Sequence, residues 1–236
     1  FVFNQPSISL ILQRLPATLE LAFVALVLSL GIGVPLGMIA GLRAGTAADR
    51  GIMTGSILGF SLPTFWQGMM LIMIFAVYLG WLPSTGRGQT GQTFGITTSL
   101  ATWDGFTHLI LPAINLSLYK ISLLIRLTRS GMRETMLLDF VKFARAKGLT
   151  EKRVVFVHVL KNIMVPIVTV IGLEFGQLIA FAVVSETIFA WPGVGKLIID
   201  SITHPWRELC DSYMKKKQRT FLQIDDYGYL KGPYGW

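Results

Sequence analysis

The chain has 236 residues, of which 52% are hydrophobic and 14% charged, and its formal net charge is +8. The charged fraction is far below the roughly 25% of typical soluble domains, which excludes that class. The mean hydropathy of +0.58 comes from long uncharged stretches, since neither residues 21–42 nor residues 51–86 hold a charged side chain. An apolar run of about 18 residues can cross a hydrocarbon core, so the sequence predicts an all-α, polytopic membrane protein.

Four segments are predicted to cross the membrane, at about residues 17–42, 52–79, 108–127 and 163–184. Pro16 stands where the first helix is expected to begin, after a weakly amphipathic stretch over residues 1–14. Small residues and a proline predict a kinkable first span with close helix contacts: Gly31, Gly33, Pro35 and Gly37. Pro63 predicts a bend in the second span.

The loops between these spans differ in charge. Residues 126–161 carry nine Lys or Arg against three acids, whereas the loop over residues 84–107 has only two charged side chains. By the positive-inside rule, residues 43–50 and 134–161 are expected in the cytoplasm. The loop over residues 84–107 and the segment after residue 185 are expected outside. The positive charge is thereby explained by topology, and no nucleic-acid partner is expected.

The polar segment over residues 204–236 has no apolar run long enough to span a membrane, yet it holds six Lys or Arg against four acids. Its expected place outside the membrane conflicts with the charge rule, so no role follows for it. Residues 1–203 are therefore predicted to form one transmembrane domain, and residues 204–236 a polar tail.

No catalytic, nucleotide-binding or metal-binding motif is evident. Residues 192–196 resemble the end of a phosphate loop, but Ala190 and Leu197 stand where that loop needs Gly and Ser or Thr. The three histidines lie far apart without ligand partners at helical spacing, and Cys210 is the only cysteine. The sequence predicts that the chain is not an enzyme and holds no cofactor or metal.

Two ionisable residues fall inside predicted spans, Lys120 in the third and Glu174 in the fourth. Charged groups are costly in hydrocarbon, so they usually face a bundle interior or an aqueous path. One interpretation places both in the substrate route. The other has them satisfied by each other or by the backbone, or has Lys120 extending to the interface.

Residues 139–166 form a basic stretch between the last two spans. Four side chains are predicted to share one helical face: Phe140, Phe143, Ala144 and Lys147. Gly148 is predicted to end that helix in the left-handed conformation, and Thr150 to cap the next helix. Two short helices broken at a glycine indicate a docking element for a partner.

Residues 144–148 (Ala-Arg-Ala-Lys-Gly), with Leu160-Lys161-Asn162 and Val165-Pro166 after them, resemble the cytoplasmic EAA-type loop of ABC importer permeases. Four further motifs resemble the dipeptide/oligopeptide/nickel branch, particularly its first permease subunit: residues 14–20, 61–66, 80–83 and 186–193. The resemblance covers about residues 10–202.

This resemblance implies the type I ABC importer transmembrane fold in the plasma (inner) membrane of a prokaryote. The family has six spans, of which the first and the last are expected to be absent here. The implied partners are a second related permease subunit, two ATPase subunits and an extracytoplasmic substrate-binding protein, besides membrane lipid. ATP and Mg would be held by the ATPase subunits, with no cofactor on this chain.

Within that family, residues 144–148 would begin the coupling helix that sits in a cleft of an ATPase subunit. The resemblance assigns ATPase coupling to six residues: Phe143, Ala144, Arg145, Ala146, Lys147 and Gly148. Arg145 and Lys147 would offer charge pairing, and Phe143 and Ala144 apolar contact. The predicted function is the permease subunit of an ATP-driven importer of peptides or similar small solutes. Two alternatives are an ion-gradient-driven secondary transporter and a membrane scaffold that docks a cytoplasmic partner without moving a solute.

Overall fold

The computed structural model describes residues 7–93, 96–203 and 212–215. The predicted polar tail over residues 204–236 therefore lies outside the described residues, apart from one four-residue helical stretch. The fold below concerns the part before that tail.

The helices follow one another in chain order: α1 (Ser7–Leu42), α2 (Ala47–Ser61), α3 (Thr64–Leu71), α4 (Trp103–Thr135), α5 (Asp139–Ala146), α6 (Glu151–Arg153) and α7 (Leu160–Ile188). A π-helical stretch over Ile72–Tyr78 continues α3, and a second over Val154–Val159 joins α6 to α7. Residues 194–203 are also helical and are called α8.

Three helical stretches among the described residues are long and apolar enough to cross a membrane: Ile8–Leu42, Trp103–Thr135 and Glu151–Ile188. A fourth crossing results if α2 and α3 count as one broken span. These three or four crossings confirm the predicted polytopic helical fold. Each helix begins before the first residue predicted for its span.

The prediction that the first helix begins at Pro16 is wrong. Helix α1 starts at Ser7 and contains both Pro16 and Pro35. A proline in a helix interior removes one backbone hydrogen bond. Residues 8–13 contain no proline or glycine, so they can be helical. In lipid, a helix is also the conformation in which the backbone groups other than the one affected by proline form hydrogen bonds within the segment. The predicted interfacial lead-in is thus, from residue 7 onward, part of α1.

The bend predicted at Pro63 is present, but it is a break rather than a kink. Helices α2 and α3 meet at 104°. Leu62 is extended, with φ −88° and ψ 136°, as expected for a residue before proline. The Gln67 side chain donates hydrogen bonds to the carbonyl oxygens of Gly59 (2.8 Å) and Leu62 (3.1 Å). These bonds satisfy acceptors that the end of α2 leaves free.

A short antiparallel hairpin departs from the all-helical prediction. Strand β1 (Gly91–Thr93) pairs with β2 (Ile96–Thr98), and a 3₁₀ turn over Ser99–Ala101 follows. The sequence predicted only a loop here, because a three-residue strand is too short to show an alternating pattern. The hairpin lies at the end of the bundle where α4 begins.

Helices α1 and α4 pack closely along their length through glycines one turn apart. A Cβ atom on Gly33 would lie 2.8 Å from Leu124 Cβ, and one on Gly37 would lie 2.6 Å from Thr128 Cβ. Gly41, which the sequence analysis did not single out, makes a similar contact. Gly31, which it did, has nothing within 4 Å of such a Cβ. The predicted close contact between helices is therefore present, but it involves Gly33, Gly37 and Gly41 and not Gly31.

The buried side chains form two apolar clusters, one in each half of the bundle. The outer cluster, next to the hairpin, consists of Ala17, Leu21, Ala22, Ala25, Leu109, Ala113, Leu116, Leu178, Ala182 and Trp191. The inner cluster consists of Met38, Leu124, Met132, Val141, Ala144, Val154, Val155, Val159, Ile163 and Ile167. The short helix α5 thus shares a core with α1, α4 and α7.

Candidate functional site

The helix–glycine–helix element consists of α5, Gly148 and α6. Its first helix ends as the sequence predicts. Helix α5 ends at Ala146, and Gly148 has φ +78°, the left-handed conformation predicted for it. The Gly148 N–H donates to the Arg145 carbonyl at 2.9 Å, and the Leu149 N–H donates to the Ala144 carbonyl at 3.3 Å. The chain therefore reverses within a few residues before α6 begins.

The predicted capping of the next helix by the Thr150 side chain is wrong. Thr150 does stand directly before α6 in an extended conformation, but its side chain accepts no capping hydrogen bond. Only its carbonyl is used, accepting from the Val154 N–H at 3.0 Å. Because α6 continues directly into a π-helical stretch, the main chain supplies the connection.

Helix α5 has a buried face and an exposed face, and they divide the predicted residues. Val141 and Ala144 are buried in the inner cluster. Phe140, Phe143 and Lys147 are exposed, with Phe143 62% accessible. The prediction that four residues share one helical face is therefore wrong for Ala144, because its small side chain packs inward beside Val141. Sequence reasoning missed Val141, the residue that anchors the helix.

The basic side chains of this element are paired within the chain. Arg145 donates from Nε and Nη2 to the two carboxylate oxygens of Glu151, at 2.8 and 3.2 Å. Lys147 Nζ lies 4.6 Å from the centroid of the Phe143 ring. Both pairs are on the exposed surface, where screening by water makes them weak. Arg145 and Lys147 are therefore accessible to another molecule at little cost.

A partly buried ion pair that sequence reasoning missed ties the first polar turn to α4. Arg129 donates to Asp49 Oδ1 at 2.5 Å and to Oδ2 at 2.8 Å, and the Gly45 N–H donates to Oδ2 at 2.8 Å. The side chain of Asp49 is 4% exposed. The residues are 80 positions apart, so no local pattern indicates the pair. It fixes the turn over residues 43–46 relative to α4.

Lys120 and Glu174 contact each other in the middle of the bundle. Lys120 Nζ donates to Glu174 Oε2 and lies 3.4 Å from Gln177 Oε1. The side chains are 5% and 19% exposed. Along α4 and α7 they lie between the outer and the inner apolar cluster. The interpretation in which the two groups satisfy each other is the arrangement observed, and Lys120 does not extend to an interface.

A cavity of about 330 Å³ opens beside this pair. Its wall includes Leu62 and Thr64 at the α2–α3 break, Lys120 on α4, and Gln177 and Ser185 on α7. The remaining lining is mainly aromatic and aliphatic. The sharp break after α2 is therefore what brings polar and apolar groups together at this depth.

At the hairpin end, two of the recognised motifs pack against each other. Thr18 Oγ1 donates to Glu186 Oε1 at 2.6 Å, and Glu186 is fully buried. Thr18 Oγ1 also accepts from the Val194 N–H at 2.9 Å, and Trp191 Nε1 donates to the Ala17 carbonyl at 3.0 Å. The segments over residues 14–20 and 186–193 thus form one structural unit.

A further ion pair attaches the hairpin to this unit. Arg87 Nη2 lies 2.6 Å from Glu20 Oε2, and the Ser99 N–H donates to Glu20 Oε1 at 2.6 Å. The Arg87 guanidinium also lies 5.6 Å from the centroid of the Trp191 ring. Within the described residues, no group of three His, Cys, Asp or Glu side chains could hold a metal ion.

The fold resembles that of transporters of known structure. It aligns with a chain of the inward-facing MetNI methionine ABC transporter at a TM-score of 0.62 and 17% identity, covering 82% of this chain and 81% of that one. It also aligns with an amino acid ABC transporter crystallised with histidines, at a TM-score of 0.53 and 16% identity, covering 90% of each chain. At this identity the likeness concerns the fold alone.

Residues 33–204 match the family model described as binding-protein-dependent transport system inner membrane component. Among curated relatives, the di/tripeptide transport system permease protein DppB of Pseudomonas aeruginosa is 46% identical over 205 residues. The dipeptide permease protein DppB of Escherichia coli K12 is 40% identical, and the oligopeptide permease protein AppB of Bacillus subtilis 41%. The matches cover 80–83% of this chain. The chain spans only about 60% of the length of these relatives.

Proposed function

Because this chain belongs to the family of inner membrane components of binding-protein-dependent transport systems, we propose that it is the permease subunit of an ATP-driven importer of dipeptides or oligopeptides. The observation that carries this proposal is the 40–46% identity to three peptide permeases over four fifths of the chain. ATP and Mg bind to partner subunits in this proposal, and the chain itself moves the solute.

The helix–glycine–helix element supports a coupling role at residues 143–148. Its exposed face presents Phe143 to a partner, and Leu137, just before α5, is 75% accessible. Its other face is anchored by Val141 in the same cluster as α1, α4 and α7. A push on the exposed face is therefore transmitted to the spans as a rigid-body movement. An ATPase subunit on the cytoplasmic side is the partner that this arrangement suits.

Arg145 and Lys147 contribute charge to that docking face in this proposal. Their pairs with Glu151 and Phe143 are exposed, so a partner's acidic groups can replace them. Ala144 takes no direct part, since it is buried, and Ala146 and Gly148 bring the main chain close to the partner. The further partners proposed are a second permease subunit, a second ATPase subunit and an extracytoplasmic binding protein.

Lys120 and Glu174 belong to the solute pathway in this proposal. Their place between the two apolar clusters, beside a cavity, supports that role. Ionisable groups at such depth are costly and are usually kept for a pathway. They are paired with each other when no solute is present.

The test is uptake of a labelled dipeptide by proteoliposomes that contain the full-length subunit with its partner subunits and binding protein. We expect uptake that requires ATP inside, fails with a hydrolysis-deficient ATPase partner, and persists when a protonophore collapses the proton gradient. Uptake that follows the gradient instead would support a secondary transporter. Binding of the ATPase partner without any flux of dipeptide would support a docking scaffold.

A further inference from the structure

The cavity beside the α2–α3 break has an uneven distribution of charge. Lys120 is the single charged side chain among the described residues that line it. Its counter-ion Glu174 approaches from α7 without forming part of the wall, and Gln177, one turn further along α7, lies 3.4 Å from the Lys120 ammonium group. Among the described residues, the cavity wall therefore includes the positive partner of this ion pair and not the negative one.

The remaining wall suits the body of a small organic solute. Phe60, Leu62, Leu116 and Phe181 provide apolar surface, and Thr64 provides a hydroxyl group. The volume of about 330 Å³ is at the lower end of the range of small-molecule sites, about 300–1,000 Å³. An apolar pocket with a few convergent polar groups is the usual form of such a site.

The charge pair allows a carboxylate to bind without leaving the Lys120 ammonium group unpaired. An ammonium group at this depth must stay paired, because leaving it unpaired costs several kcal/mol. A carboxylate that enters the cavity can replace Glu174 as the partner of Lys120. An uncharged group in the same place would have to break the Lys120–Glu174 pair without supplying a negative charge to Lys120.

We propose that this cavity is a carboxylate-binding site in which Lys120 takes the free carboxylate of the solute while Glu174 serves as its counter-ion in the empty state. Because it names the solute group recognised in the pathway, this inference rests on the proposed function. For a peptide, the group is the free C-terminal carboxylate, with the preceding side chain against the apolar wall.

The test is protection of an introduced cysteine in the assembled transporter without its binding protein. Thr64→Cys in a Cys210→Ser background places a thiol in the wall for labelling with a soluble maleimide. The probes are dialanine, its C-terminal amide and inorganic phosphate. We expect dialanine to slow labelling at a concentration roughly 10- to 100-fold below that needed with the amide, as for the loss of a charged hydrogen bond.

Two variants separate binding from folding. Lys120→Arg keeps the positive charge and should keep protection by dialanine. The double variant Lys120→Met with Glu174→Gln removes both charges together, so neither is left unpaired, and should protect no better with dialanine than with the amide. Equal protection by acid and amide in the unaltered chain, or acid-selective protection that persists in the double variant, would overturn the site.

Protection by phosphate equal to that by dialanine would also overturn it, since it would indicate general anion binding. Uptake measured after the binding protein is added to the same preparation keeps this test separate from the proposed function. If ATP-driven dipeptide uptake is absent, the proposed function is wrong and the labelling still decides the site. If uptake is present and protection is unselective, the carboxylate site alone is wrong.

Discussion

Thr18 and Glu186, which are 168 residues apart in the chain, share a 2.6 Å hydrogen bond in the interior of the protein. Glu186 also accepts from the Lys196 N–H at 3.0 Å, and a Cβ atom on Gly193 would lie within 2.0–2.4 Å of the Glu186 carboxylate atoms. The glycine in the second motif is therefore required for the carboxylate to fit. Two motifs that lie far apart in the chain are thus joined through this buried carboxylate, in addition to the bond from Trp191 to Ala17.

Replacing Thr18 by valine should destabilise this unit. Valine has the same shape but loses the hydroxyl that donates to Glu186 and accepts from Val194. We expect the free energy of unfolding to fall by about 1–3 kcal/mol, as for buried groups left without a partner. Unfolding of the full-length subunit by SDS in mixed micelles measures this.

Thr169→Val is the matched control for that change. Thr169 is exposed and bonds only to the Val165 carbonyl of its own helix. Its replacement should alter the free energy of unfolding by less than about 0.5 kcal/mol. Equal effects at Thr18 and Thr169 would contradict the role given to Thr18.

The contact between α1 and α4 should not tolerate alanine at Gly37. The added Cβ would lie 2.6 Å from Thr128 Cβ and 2.8 Å from the Ile125 carbonyl oxygen, so the helices must move apart. We expect a loss of about 1–3 kcal/mol in the same unfolding assay. Gly31→Ala, where the added atom meets nothing within 4 Å, should be neutral or slightly stabilising. A smaller loss at Gly37 than at Gly31 would refute the packing argument.

The left-handed turn at Gly148 should be necessary for coupling. Proline cannot adopt φ +78° and has no N–H to donate to the Arg145 carbonyl. We expect Gly148→Pro to insert normally and to leave ATP hydrolysis by the partner subunits intact. Uptake per ATP hydrolysed should fall by about tenfold or more, corresponding to strain of 1–3 kcal/mol.

Alanine variants isolate the backbone conformation from side-chain size. Neither Gly148 nor Gly51 has an atom within 4 Å of an added Cβ, but only Gly148 has a positive φ. Gly148→Ala should therefore reduce uptake per ATP, and Gly51→Ala should not. Normal coupling in both Gly148 variants would remove this turn from the coupling mechanism.

Reversing the charge at Arg145 should uncouple transport with little loss of stability. The pair with Glu151 is exposed, so its loss should cost less than about 1 kcal/mol. We expect Arg145→Glu to abolish uptake while ATP hydrolysis continues. The double variant Arg145→Glu with Glu151→Arg restores the pair within the chain but should stay uncoupled. Recovery of uptake in the double variant would mean that Arg145 acts only within its own chain.

The basic end of the bundle should face the cytoplasm. In a Cys210→Ser background, a cysteine in place of the exposed Lys152 should react with a membrane-impermeant maleimide only from the cytoplasmic side. A cysteine in place of the exposed Gln92, in the hairpin at the other end, should react only from outside. Labelling of Lys152→Cys from outside would reverse the proposed topology.

Much of the fold could be predicted from local patterns. Apolar runs without charges indicated the helical spans, Pro63 indicated the break after α2, and Gly148 indicated the left-handed turn, because each depends on the chemistry of neighbouring residues. The predictions that the Thr150 side chain caps a helix and that Pro16 begins one were wrong, because these features depend on more than the neighbouring residues. Local preference permits a cap at Thr150 and a helix start at Pro16, but in the folded chain Thr150 makes no cap and α1 begins at Ser7.

The candidate site was predicted unevenly. The six predicted coupling residues came from a motif, but the burial of Ala144 and the anchoring role of Val141 depend on which face of α5 meets the inner cluster. The pairs between Asp49 and Arg129 and between Arg87 and Glu20 bring together residues from distant parts of the chain. Spacing in the sequence carries no information about such contacts.

The sequence by itself determined that the chain is a helical membrane protein with a basic, glycine-broken element between its last two spans. Hydrophobicity and backbone preference are properties of short segments, so they can be read without a fold. Only the tertiary structure decided that Lys120 meets Glu174 beside a cavity and that Thr18 meets Glu186 in the interior. Burial selects these partners, because a polar group removed from water must be satisfied by whichever group the packing of the helices brings near.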